Sequence, residues 1–123
     1  MQKIRKMIKK IKGEYNRVSY FFDEAGKSLM ELGKEIYEKK SSPQSLQLFS
    51  EKLFELEKLI AKNKFLEDYE PIIIYEIGFR AEKLYHLTTR ITFLLDSKDF
   101  QGAKLYFRIL LSEFEQFRSL VLG

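Results

Sequence analysis

Hydrophobic residues recur every three or four positions along almost the whole chain. Residues at this spacing lie on one face of an α-helix, because the helix completes a turn in about 3.6 residues. In the first third, the pattern predicts a helix over about residues 3–38, or two helices separated at residues 23–26, where Asp23 would cap the second. The residues of this apolar stripe are Ile4, Met7, Ile8, Ile11, Tyr15, Val18, Phe21, Phe22, Ala25, Leu29, Leu32 and Ile36.

Proline and short polar segments mark where the other predicted elements begin. Ser42 as N-cap and Pro43 at the first helical position predict a second helix. The apolar face of this helix carries Leu46, Phe49, Leu53, Leu56 and Ile60. Residues 63–70 form a mostly polar connector, and Pro71 begins the third element.

The third element opens with the run Ile72-Ile73-Ile74-Tyr75, which has strand propensity. An isolated strand would have no pairing partner in this chain, so a helix through about Leu95 is predicted instead. Residues 97–99 interrupt the pattern, and the last helix is predicted from Phe100 to Leu122. The sequence therefore predicts an all-α fold, a bundle of four to five helices that forms a single domain over residues 1–123.

Composition agrees with this fold class and narrows the function. A length of 123 residues suits one domain, and 45% apolar and 15% aromatic residues supply its core. The absence of cysteine excludes disulfides and thiolate ligands. No run approaches the roughly 18 apolar residues of a membrane span, and the basic start lacks the separate apolar region of a signal peptide. We expect a soluble, cytoplasmic protein, and the abundant Lys, Glu, Ile and Tyr would suit a thermophilic source.

The excess positive charge of the chain is confined to its first twelve residues. They contain six cations and no acid, whereas the net charge of the whole chain is +4, so the remainder is net negative. A focused positive field of this kind indicates a site for a polyanion. The six cations are Lys3, Arg5, Lys6, Lys9, Lys10 and Lys12.

Three polyanionic partners fit this segment, namely nucleic acid, an anionic membrane surface and an acidic protein groove. A solvated helix end that only aids solubility is the alternative. We favour RNA over a membrane, because the apolar stripe continues into the predicted core instead of stopping at a linker. Arg80, Lys83 and Arg90 are predicted to extend the RNA-binding track, together with Arg17, Lys104 and Arg108. Tyr85, His86 and Tyr106 would either stack on bases or belong to the core.

Catalytic chemistry has little support in the sequence. Arg80 and His86 have a spacing found in the all-helical HEPN ribonucleases. At six residues apart they lie roughly 240° apart around a helix, so we favour unrelated surface groups. A di-iron helix bundle needs a Glu three residues before its His, where this chain has Lys83. We therefore predict no catalytic residues, no metal site and no cofactor, with the HEPN-like ribonuclease as the enzymatic alternative.

Three stretches carry a resemblance to a known family. They are Ile4 to Ile8 leading to Tyr15, Pro71 to Arg80 with its Tyr75 and Gly78, and Asp99-Phe100 followed by Tyr106-Phe107 and Phe114. In these stretches the chain resembles the small subunit of Csm-type (type III-A) CRISPR effector complexes. It departs from the family pattern where Phe79 separates Gly78 from Arg80 and where Arg108 replaces an acidic residue.

The resemblance implies a non-catalytic, all-helical subunit of an antiviral ribonucleoprotein. Its copies would stack along the complex and contact the guide–target duplex through the backbone, with Arg5 and Arg80 at the family's basic positions. The expected partners are RNA and protein subunits, with self-association or hetero-oligomers and no membrane. The alternative from another functional class is a helical adaptor or inhibitor module that binds protein and no nucleic acid.

Overall fold

The computed structural model describes the backbone of residues 2–62 and 69–123, and side chains from residue 13 onward within those ranges. These residues form four helices and no strand. The helices are α1 (Gln2–Tyr37), α2 (Gln44–Lys62), α3 (Pro71–Asp96) and α4 (Phe100–Leu122). The predicted all-α bundle is confirmed, and so is helix rather than strand for the Ile72–Tyr75 run. Most of the predicted connector, residues 63–68, lies outside the described residues.

The predicted alternative of a break at residues 23–26 is wrong, because α1 is continuous through this point. Asp23 does not cap a helix there. Its carboxylate instead accepts a hydrogen bond from Arg118 of α4, with Nη2 at 2.8 Å from Oδ1. Gly26 costs about 1 kcal/mol relative to alanine inside a helix, but the neighbouring Ala25 and Leu29 are fully buried. Packing therefore overrides the local signal for a break.

The apolar faces predicted from periodicity form the core. Val18, Phe22, Ala25, Leu29, Leu32 and Ile36 of α1 are buried, as are Leu46, Phe49, Leu53, Leu56 and Ile60 of α2. At the centre, the ring of Phe114 lies 5.8 Å from that of Phe22 and 5.6 Å from that of Phe49. Aromatic pairs at this distance are favourable beyond the area they bury. Phe114 of α4 therefore packs against both α1 and α2.

Helix α1 packs against α2 and α4, and α3 packs mainly against α4. Helices α1 and α4 run antiparallel. Residues later in α4 face residues earlier in α1. The facing pairs are Gly33 with Phe107, Gly26 with Phe114, Asp23 with Arg118, and Tyr15 with Leu122. The start of α3 is held to the end of α4 because the Tyr69 hydroxyl donates to the Val121 carbonyl at 2.7 Å.

Local sequence signals set the ends of the helices. Pro71 occupies the first turn of α3, as predicted, while α2 begins at Gln44, one residue later than predicted. Helix α3 ends at Asp96, and Lys98, which follows the C-cap Ser97, has a left-handed backbone with φ of 59°. Asp99 then caps α4 by accepting a hydrogen bond from the Gly102 amide at 2.9 Å. Within residues 2–62 and 69–123, every helix is too short or too polar to cross a lipid bilayer.

We expect Gly33→Ala to lower the unfolding free energy by about 1–2 kcal/mol, because the added methyl would overpack a filled contact. A Cβ atom at this position would lie 2.6 Å from Cζ of Phe107. The matched control is Gly26→Ala, where the new Cβ would lie 3.7 Å from Phe114. There we expect a gain of about 0.5–1 kcal/mol from helix propensity. Urea unfolding of both variants tests this, and equal effects would contradict the close approach at Gly33.

Lys98→Gly is expected to stabilise the protein by about 0.5–1 kcal/mol, because glycine adopts the left-handed conformation without steric cost. The control is Ser97→Gly, since Ser97 has an ordinary φ of −84° and its hydroxyl donates to the Phe93 carbonyl. This change should destabilise the protein. Thermal unfolding measures both shifts, and a loss of stability in Lys98→Gly would refute the expectation.

Candidate polyanion-binding surface

The six predicted cations at the start of the chain belong to α1, but their side chains lie outside the described residues. These are Lys3, Arg5, Lys6, Lys9, Lys10 and Lys12. The backbone still locates the segment. Helix α1 begins at Gln2, and the Tyr15 hydroxyl donates to the carbonyl of Leu122, the last residue of α4, at 3.2 Å. About 20 Å of helix therefore precedes the point where α1 meets the end of α4.

Arg80 and Lys83, two further predicted RNA contacts, take part in an ion-pair network between α3 and α4. Arg80 Nε lies 3.1 Å from Glu76 Oε1, and its Nη1 donates to Gln116 Oε1 at 2.8 Å. Lys83 Nζ lies 3.0 Å from Glu113 Oε1, and Arg80 Nη1 lies 3.5 Å from the other oxygen of the same carboxylate. One glutamate therefore serves two cations.

The Glu113 side chain is only 14% exposed, so this carboxylate is held in the seam between the two helices. A phosphate that approached Arg80 or Lys83 would have to compete with it. Two negative groups, Glu76 and Glu113, already balance the two positive ones. The described geometry favours a structural role for this network, and the RNA contact of these two residues stays a prediction.

Arg90, the remaining predicted contact, is exposed and has an aromatic neighbour. Its guanidinium carbon lies 5.6 Å from the ring centroid of Tyr106, which is half-buried on α4. Cations over aromatic faces at this distance are attracted by the ring quadrupole. Unlike Arg80, Arg90 therefore combines a positive charge with a flat ring at the surface.

A second basic and aromatic site joins the end of α1 to the beginning of α4. Lys104 Nζ lies 4.7 Å from the ring centroid of Tyr37, which is 56% exposed. Hydrogen bonding and the positive charge of the Arg108 guanidinium lower the pKa of the Tyr37 phenol below its usual 10, and the charge of Lys104 adds to the effect. We call Tyr37, Lys104 and Arg108 the Tyr37 cluster.

Sequence reasoning included Lys104 and Arg108 only as extensions of a basic track, and it missed Tyr37 entirely. No local signal could have found this residue, because its partners on α4 are 67 and 71 positions away. The Tyr37 cluster and the Arg90–Tyr106 pair flank Leu105, whose side chain is 57% exposed. Together they make the beginning of α4 a surface of cations and tyrosine rings.

The geometry gives the ribonuclease alternative no support. Arg80 is half-buried against α4, whereas His86 is exposed, and its nearest charged group is Glu82 on the same helix at 3.8 Å. The two side chains thus lie on different faces of α3. Tyr85 is half-buried beside Glu57, and burial together with the Glu57 carboxylate raises the pKa of its phenol above the usual value. This residue is part of the packing and not a stacking platform.

Among the described residues, no group of three or more His, Asp or Glu side chains is placed to hold a metal ion. Comparisons with protein-family models, with curated proteins and with solved structures give no significant match.

We expect the Tyr37 phenol to titrate below pH 10 in the native protein, because Arg108 favours its ionised form. Arg108→Gln should raise this pKa toward the ordinary value. Since the native pKa is the lower one, ionisation of Tyr37 favours the folded state as pH rises through it. The measurement is the tyrosinate absorbance of the native protein minus that of Tyr37→Phe. An identical titration of Tyr37 with and without Arg108 would contradict the contact.

Proposed function

We propose that this protein is a non-catalytic subunit that binds RNA through its phosphate backbone within a larger assembly. The observation that carries the proposal is the convergence of Lys104 and Arg108 on the exposed ring of Tyr37. Cations that contact phosphates, next to rings on which bases stack, are the combination that single-stranded nucleic acids require. Two cations that can each contact a phosphate suit a backbone-reading role.

The position of the cluster on α1 supports an extended ligand. Tyr37 is the last residue of α1, and the acid-free cationic segment is at the other end of the same helix. From Lys12 to Tyr37 the helix rises about 38 Å. A ligand that contacts both places must be a long polyanion, and RNA satisfies this better than a small phosphorylated molecule does.

The resemblance to the small subunit of Csm-type CRISPR complexes supplies a specific form of this proposal. In such a complex the chain would contact the guide–target duplex and serve in antiviral defence. Arg80 matches a basic position of that family, but here it pairs with Glu76 and Glu113. We therefore assign the phosphate contacts to the first turns of α1, including Arg5, and to the Tyr37 cluster.

A protein-binding adaptor is the second candidate, and one observation favours it. The outward side of α3 exposes Ile72, Tyr75 and Phe79 at 70%, 75% and 59% of their surfaces. Neighbouring large apolar residues at such exposure mark interaction sites in soluble proteins. An adaptor of this kind would show no salt-sensitive affinity for RNA.

The test is a salt titration of binding to labelled single-stranded and duplex RNA. Contact with about three to five phosphates on a single strand predicts a slope of log K against log salt near −2 to −3.5. Changing Lys3, Arg5, Lys6, Lys9 and Lys10 to Gln should remove the part of this slope that the first turns of α1 contribute. Lys104→Gln with Arg108→Gln should make the slope less steep by roughly 1.4, the equivalent of two phosphates.

Tyr37→Leu separates stacking from charge. It should weaken binding by about 1–3 kcal/mol, because the stacking of one base is lost. The salt slope should stay the same, because every phosphate contact is kept. The control is Lys27→Gln, since this exposed lysine pairs with Glu24. Absent binding, or equal losses in the control and the Tyr37-cluster variants, would refute the proposal and leave the adaptor.

A further inference from the structure

The outward face of α3 carries a row of exposed residues that is symmetric about His86. Phe79 and Phe93 are each seven residues from His86, and their side chains are 59% and 61% exposed. Glu82 and Arg90 are each four residues from it and are also exposed. Because spacings of four and seven residues keep one helical face, all five residues share it. We call them the outer row of α3.

The symmetry of the outer row is of a particular kind. The aromatic residues are the same on both sides of His86, whereas the charge changes sign, with Glu82 before the centre and Arg90 after it. When two such helices meet antiparallel, each residue faces the one at the same distance on the other side of the centre. Phe79 then faces Phe93 of the second copy, and Glu82 faces its Arg90. The outer row is therefore complementary to itself.

We propose that two copies of this chain associate through α3, antiparallel, about a two-fold axis beside His86. A closed two-fold interface uses the same patch on both subunits, which is what a self-complementary row provides. Phe79 and Phe93 lie about 10.5 Å on either side of the centre, so the aromatic contacts occur twice, at both ends of the charged pairs. Parallel pairing is disfavoured because it places Glu82 beside Glu82 and Arg90 beside Arg90.

The charge of this surface favours a second copy over a polyanion. Glu82 and Arg90 balance each other, and the flanking Arg80 and Lys83 are neutralised by Glu76 and Glu113. This face of α3 is thus near neutral in charge, so the faces of two copies meet without electrostatic repulsion. The cationic start of α1 would, in contrast, repel its counterpart in a second copy.

The exposed area is sufficient for a reversible dimer. Aromatic side chains bury about 150–250 Å² each, and Tyr75, Phe79 and Phe93 are 75%, 59% and 61% exposed. Two copies of Phe79 and Phe93 therefore offer on the order of 350–600 Å². Tyr75 lies eleven residues before His86, so it adds area against Ser97, the C-cap of α3 in the second copy. With Ile72 and the polar rim added, the contact reaches the roughly 1,000 Å² that specific interfaces bury. We expect a dissociation constant in the micromolar range.

Sedimentation equilibrium of the full, nuclease-treated chain tests the proposal, from low micromolar to about 0.5 mM. The wild type should pass from monomer to dimer within this range. Phe79→Ser and Phe93→Ser should each raise the dissociation constant at least about tenfold, as expected for central aromatic contacts. The control is Met30→Ser with Phe54→Ser, exposed apolar residues of α1 and α2 at 65% and 51%. It should leave the dimer unchanged, and circular dichroism verifies the fold of every variant.

Charge exchange tests the antiparallel arrangement. Glu82→Arg and Arg90→Glu should each weaken self-association, because like charges then face each other. An equimolar mixture of the two variants should recover the dimer, since one chain is positive at both positions and the other negative at both. A monomeric wild type, a dimer that resists the phenylalanine changes, or a mixture that stays monomeric would each overturn the proposal. No RNA is present, so the outcome is independent of the proposed RNA binding.

Discussion

The close approach of α1 to α4 at Gly33 is the constraint on which the rest of the structure depends. A Cβ atom at Gly33 would lie 2.6 Å from the ring of Phe107, so any larger residue there would force this ring or the helices to shift. One turn further along α1, the register brings Tyr37 beside Lys104. At the other end it places Tyr15 against the last residue of α4, and the cationic turns of α1 precede Tyr15 in the helix. A single steric contact thus positions both regions to which we assign RNA binding.

Two kinds of neighbour distinguish the cations that lie between helices. Arg80 and Arg118 contact carboxylates across helix boundaries and join α3 or α1 to α4. Arg90 and Lys104 contact tyrosine rings instead, and neither of them forms an ion pair with another described residue. A carboxylate neutralises a cation, whereas a ring contributes a stacking surface beside it. The neighbours of a basic residue therefore indicate its role better than the exposed fraction of its side chain does.

Local physics explains why most of the fold could be predicted from the sequence. The hydrophobic periodicity and Pro71 are local signals, and the helices form where these signals predict them. The alternative of a break at Asp23 is wrong because Ala25 and Leu29 are buried in the core, and the Asp23 carboxylate pairs with Arg118, 95 residues away. Tyr37 was missed, and the pairing of Arg80 with Glu113 was not foreseen, for the same reason. All three contacts depend on the register between helices, and the periodic pattern of a single helix does not predict that register.

The most direct measurement of the central claim is a map of amide chemical-shift changes when single-stranded RNA is added to isotope-labelled protein at low salt. We predict changes at Tyr37, Lys104 and Arg108 and along the first turns of α1. Changes confined to the seam of Arg80 and Lys83, with the Tyr37 cluster unaffected, would contradict it.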